Sequence, residues 1–238
     1  MNADAEKVGV RWLLGYAIDK GCGRAAIVVP GAQSIDALKR ACGDDVAQTL
    51  RRHRQITVRD DLVLEVLLSS RLPFSYDGPV FAPWADDEII DKVEEMIPPA
   101  ICAMPWARGH LSVWRSSWAL HDPRTGSRIT SPVHLTGLTT AALEDLTEFI
   151  NLGTGLGHPS DKAMAVGFLK ALRYGGEVLD GDTIRAWAIA HGWSPRHAKD
   201  LGELAQKIAD GVAVRGGRPQ TKTEMNQQLG RWREARAA

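Results

Sequence analysis

Two tripeptides in this chain, Pro83-Trp84-Ala85 and Pro105-Trp106-Ala107, repeat one pattern: an apolar run, a proline, then an indole. A third apolar run, AAIVVP, closes at Pro30. Helix-start signals follow each within a few residues. If the three runs are parallel strands, their ends lie together at the carboxyl edge of one sheet, where open α/β sheets bind ligands. The residues offered there are Gly31, Gln33, Ser34, Trp84, Asp86, Asp87, Trp106, Arg108 and His110. Two indoles can stack on a planar ligand such as a base. Arg108 can meet an anion, and His110 can titrate near neutral pH. This set is expected to hold a nucleotide-like small ligand. A structural alternative stands beside it: proline ends each strand, the aspartates cap a helix, and the tryptophans cover the sheet edge.

Other chemistries lack their residues. After AAIVVP the chain reads GAQSIDALK, with neither the second glycine nor the Lys-Ser/Thr of a phosphate loop. GxSxG and HExxH are absent, and Cys22, Cys42 and Cys102 match no zinc or CxxC spacing. Asp60-Asp61 with Glu65, and Asp86-Asp87-Glu88, are acidic enough for a magnesium ion. A metal nuclease would want a lysine where Val66-Leu67 follow Glu65. Cys102 and His110 flank the same corner, but Cys102 lies in an apolar run and reads as a core thiol. No catalytic residue, metal or cofactor is expected.

The elements that must position these residues alternate. Residues 6–20 read as a helix, 25–30 as a strand, and SIDALKRAC as a helix capped by Ser34. LRRHR is a basic helix or turn. DLVLEVLLSS fits strand or helix equally. GPVFAPW and AICAMPW read as strands, DDEIIDKVEEM and HLSVWRSSWAL as helices. Alternation of this kind predicts an α/β, Rossmann-like domain with a mostly parallel sheet over residues 1–125, then a linker over 126–138. Beyond it the strand signals stop. Helices over 139–150, from about 160 to 174, around TIRAWAIAH and from Ser194-Pro195 onward predict a small all-α domain over 139–211. A basic tail with a short helix follows over 212–238.

The stretch NLGTGLGHPSDKA, residues 151–163, imitates a dinucleotide fingerprint. That motif needs a strand before its glycines, and TAALEDLTEFI is helical by period. Gly153 therefore reads as a helix C-cap, Gly155 and Gly157 as a flexible joint, and Pro159-Ser160-Asp161 as the next helix start.

Charge is balanced, with 29 basic and 29 acidic residues, so no global field points to a partner. The start of the chain has no signal-peptide pattern and no apolar run reaches membrane-span length, so a cytoplasmic protein with no membrane partner is expected. Arginine over lysine and abundant alanine suggest a bacterial source. Local charge is less even. Residues 183–211 can be read as helix, tight turn and helix, a layout shared by DNA-binding modules and plain bundles. The second helix shows Arg196 and Lys199, and the tail carries Arg215, Arg218, Lys222, Arg231, Arg233 and Arg236 against Glu224 and Glu234. Basic ends of this kind attract phosphate backbones.

Ile184-Arg185-Ala186-Trp187-Ala188, with Gly192 four residues on, resembles the start of the DNA-binding domain of actinobacterial nucleoid silencers. Arg215-Gly216-Gly217-Arg218-Pro219 is similar to their Arg-Gly-Arg loop. It departs by an extra glycine and by the helix, 195–210, between the two parts. The resemblance implies DNA contact. The reading carried forward is a non-enzymatic bacterial nucleic-acid-associated or regulatory protein acting through Arg196, Lys199, Arg215, Arg218 and Lys222. Its alternatives are a ligand-binding α/β domain and a protein-interaction adaptor.

Overall fold

The computed structural model describes residues 3–59, 61–129, 133, 135–217 and 220–237. By internal contacts the chain forms two compact units, Met1–Trp114 with Leu120–Ile129, and Arg115–Ala119 with Thr130–Ala238.

The first unit is mixed α/β. In order it runs α1 (Ala3–Lys20), β1 (Arg24–Val29), a 3-10 helix (Ala32–Leu38), α2 (Lys39–Cys42), α3 (Asp44–His53), β2 (Gln55–Arg59), β3 (Leu62–Leu68), β4 (Val80–Ala85), α4 (Asp87–Glu95) and β5 (Ile101–Pro105). The five strands form one sheet in the order β2-β3-β1-β4-β5. β1 runs parallel to both β3 and β4, and β4 to β5; only β2 is antiparallel. β1 is apolar on both sides because both faces are covered. Ala25, Ile27 and Val29 pack with Val10, Leu13 and Ala17 of α1, while Ala26 and Val28 pack with Ile89, Ile90 and Val93 of α4.

Within the ambiguous 61–70 segment, Leu62–Leu68 is strand. Leu62, Leu64 and Val66 join one core in strict alternation, and Glu65 between them is held by Arg24 through Nε–Oε1 at 3.1 Å and Nη2–Oε2 at 2.9 Å. SIDALKRAC is not the single helix expected. Ser34 donates its N–H to Gly31 O at 3.0 Å inside a 3-10 helix, and α2 is one turn before Gly43 opens α3. The tie between α1 and this region is an ion pair: Arg40 grips the fully buried Glu6 carboxylate through Nε–Oε2 at 3.2 Å and Nη2–Oε1 at 2.9 Å.

After β5, α5 is only Ser112–Ser117, so Leu111 and Trp118 fall outside the helix predicted to carry them. β6 (Leu120–His121) and β7 (Arg128–Ile129) then pair antiparallel, so the second strand of a hairpin lies inside the stretch read as linker. Its turn is held by Arg124, whose side chain donates to Asp122 at 3.0 and 2.7 Å. That bond, with the Arg124 backbone N–H, lowers the Asp122 carboxyl to about 2. A group lowered on folding adds stability above its ordinary value near 4 and loses it as the pH falls toward 2. Arg124→Ala removes the guanidinium bonds but keeps the backbone N–H bond, so Asp122 is expected to move part of the way back toward the ordinary carboxylate range, read by NMR titration of its carboxyl carbon.

The second unit contains α6 (Gly137–Phe149), a 3-10 turn (Gly155–Gly157), α7 (Pro159–Tyr174), α8 (Gly181–Ala190), α9 (Pro195–Ala209) and α10 (Lys222–Ala237). The starts follow capping chemistry: Thr136, Asp180 and Ser194 accept from Thr139, Thr183 and His197 N. Leu143, Leu146, Leu169, Leu172, Ile184 and Leu201 are buried. α10 presents Leu229 and Trp232 inward; the Trp232 ring meets Phe168 edge-on and its Nε1–H donates to Asp145 at 2.8 Å. Among the described residues, no helix is long and apolar enough to cross a membrane.

The glycine-rich stretch is a packed joint. Ile150, not Gly153, caps α6, and Asn151 Oδ1 accepts from Gly153 N at 2.9 Å. Gly155 is buried at φ +53, and a Cβ there would lie 2.4 Å from the His197 ring. His197 in turn donates from Nδ1 to Leu152 O at 3.1 Å.

Candidate functional site

β1 and β4 are parallel neighbours whose exits diverge. The chain leaving β1 proceeds to β3 on one side, and the chain leaving β4 proceeds to β5 on the other. Their carboxyl ends therefore form the topological switch point of the sheet, where opposed connections leave a crevice. Gly31, Gln33 and Ser34 follow β1; Trp84 and Asp86 end β4 and begin α4. The loop after β5 is brought to the same edge by two bonds, Trp106 N–H to Ala85 O at 2.9 Å and Leu111 N–H to Asp87 Oδ1 at 3.2 Å. Ser69, which the sequence did not single out, also lies here: its N–H donates to Val29 O at 3.0 Å and its hydroxyl to Pro30 O at 3.2 Å.

The three proline corners are not equivalent. Pro30 follows β1 and Pro105 ends β5, but Pro83 sits inside β4 at a register shift between Ala82 and Ala85. A bulge is where a strand tolerates proline. Trp84 takes the irregularity at φ +56, a left-handed conformation that costs a bulky residue on the order of 1–3 kcal/mol. Its ring is 3% exposed and packs in the core with α1, so it offers no face for stacking, a correction to the sequence reading. Trp106 is 59% exposed and does offer one. Among the described residues, the buried Trp84 Nε1 and His110 Nδ1 have no hydrogen-bond partner. Arg108 is exposed, and the Gln33 side chain folds back over Gly31.

The acids at this edge already have tasks. Asp86 accepts from Ile89 N at 2.8 Å as the α4 cap, Asp87 accepts from Leu111 N, and Glu88 accepts from Lys92 Nζ at 2.7 Å. In the other acidic group Glu65 is paired with Arg24, Asp61 is exposed, and Asp60 lies outside the described residues. No cluster able to hold a metal forms among the described residues. Burial pushes the Cys102 thiol up to about 12, so it supplies no thiolate near neutral pH.

In the helical unit, Arg196, Lys199, Arg215 and Lys222 are all exposed, and Arg218 lies outside the described residues. α8 and α9 touch far from their turn. Gly181, the first residue of α8, donates its N–H to Gln206 Oε1 at 3.2 Å and lies against Gly202 in the middle of α9. This is an αα-hairpin packed along its length. The Arg215 loop is laid on α7: a Cβ on Gly217 would meet Val166 at 2.4 Å and Lys170 Nζ at 3.9 Å, and one on Gly216 would meet Lys162 at 4.0 Å. Arg173 donates to Ile208 O at the end of α9. Lys162, Lys170 and Arg173 are all exposed and were missed from the sequence. Their helical spacing was visible, but the loop crossing between them was not.

Residues 135–231, less than half of the chain, match the model of a family described as a domain of unknown function (DUF1889). No curated protein and no solved structure matches the chain.

Proposed function

We propose that the α/β unit binds a nucleotide-like small ligand at the carboxyl ends of β1, β4 and β5. The observation that carries this reading is the end of β4. A strained left-handed Trp84 with an unpartnered indole N–H stands at the switch point of the sheet, followed by a loop holding the unpartnered His110 Nδ1. Backbone strain and unsatisfied buried polar atoms are costs that a fold retains more readily where a site needs them. In this reading Trp106 stacks on the planar part of the ligand, Arg108 meets its anionic part, and His110 offers a hydrogen bond. Gly31, Gln33 and Ser34 line the β1 side. The acids already serve as caps and ties, which supports binding rather than acid–base turnover.

A thermal-shift panel of nucleoside mono-, di- and triphosphates and dinucleotides tests it. A member present at about a hundred times its dissociation constant is expected to raise the midpoint by roughly 5–10 °C. Arg108→Ala should abolish that rise while leaving the unliganded midpoint in place. A panel without a stabilising member would sink the reading.

A further inference from the structure

We infer that the outer face of α7, with the loop through Arg215 laid across it, docks the phosphodiester backbone of a nucleic-acid duplex. This site is separate from the strand-end site and does not depend on it. Lys162 and Lys170 flank the buried Val166, on which Gly217 sits, and Arg173 continues the line. Eight residues of helix separate the two lysines, about 12 Å, and the line reaches about 16 Å at Arg173. Arg215 adds an exposed guanidinium from the crossing loop.

Length decides the class of partner. A lone phosphate is held by donors converging on one point, whereas a row of cations about 16 Å long meets successive charges of a linear polyanion. Two cavities border the row. One, of about 320 Å³, is lined by Lys170, Arg173, Tyr174, Ile208 and Val212, with no carboxylate side chain among these. The other, of about 290 Å³, brings Lys207 beside Lys162, with Asp200 and Glu203 on the same wall. Glu203 bridges Lys207 at 3.7 Å, and Asp210, near the end of α9, accepts from Gln206. α9 thus sets Asp200 and Glu203 among Arg196, Lys199 and Lys207, whereas α7 sets one acid, Asp161, against the row of Lys162, Lys170 and Arg173. The contact surface moves accordingly from the second helix of the hairpin to α7 and its loop.

The test is fluorescence anisotropy of the full chain with labelled 20-base-pair duplexes, one of DNA and one of RNA, at 50 and 200 mM salt. Binding is expected to weaken steeply with salt. Lys162→Gln/Lys170→Gln/Arg215→Gln should lower affinity about tenfold or more at 50 mM and flatten the log–log salt slope by about 2.7 for the DNA duplex, the loss of three phosphate contacts. Whichever duplex binds identifies the source of the phosphodiester. A charge-matched control, Arg11→Gln/Lys20→Gln/Arg52→Gln in the α/β unit, should keep both affinity and slope; all three residues are exposed. Absence of binding to either duplex at 50 mM overturns the inference. So does equal weakening in the control, which would reduce the effect to net charge. Displacement by polyglutamate at equal affinity overturns the assignment to nucleic acid.

Discussion

Arg40→Ala is expected to remove about 3 kcal/mol of stability, the low end for breaking a buried ion pair because the Arg40 side chain is itself 37% exposed. The loss exceeds that of a surface pair because Glu6 is fully buried on α1 and Arg40 meets both its oxygens. Without the guanidinium, a carboxylate is left desolvated and unpaired. Urea unfolding should show a lower midpoint at unchanged slope. Replacing both partners by an apolar side chain of similar length, Glu6→Met with Arg40→Met, should recover most of the loss, since the cost lies in the stranded charge. A single variant as stable as the parent would mean that α1 moves to let water reach Glu6.

The second large effect is at the α8–α9 contact. A Cβ on Gly202 would lie 2.5 Å from Gly181 O, and one on Gly181 would lie 2.7 Å from Gly202 O. Here backbone meets backbone, so no flexible side chain can yield. Gly202→Ala gains about 1 kcal/mol of helix propensity, yet is expected to destabilise. Gly202→Leu should cost about 3 kcal/mol or more by driving the helices apart. Gly230 in α10 is the comparison, because a Cβ there meets nothing within 4 Å. Gly230→Ala should stabilise by up to about 1 kcal/mol. Opposite signs at two helical glycines, read by thermal unfolding, would establish close approach as the cause; the same sign at both would refute it.

Much of the element order was legible because it rests on local chemistry. AAIVV, GPVFAPW and AICAMPW are continuously apolar, as strands covered on both faces must be, and they became β1, β4 and β5. Ser194-Pro195 begins α9 and Gly211 stops it at φ +76. DLVLEVLLSS was undecidable from its own residues. It is a strand because β1 offers a parallel edge and Arg24 a partner for Glu65. SIDALKRAC broke into a 3-10 helix and a turn, and its Arg40 was spent on Glu6, thirty-four positions away.

The candidate sites divide in the same way. The sequence by itself put a proline and an indole late in two apolar runs and gathered basic residues toward the end of the chain. Those are properties of residue type and short spacing. Only the tertiary structure put the switch point between β1 and β4, turned Trp84 into the core through a left-handed bulge, and left Trp106 as the exposed ring. Only it laid the Arg215 loop between Lys162 and Lys170. Period and composition tell a segment which of its faces is apolar. Which neighbour covers that face, and which charges then stand side by side, is fixed by packing between segments far apart in the chain.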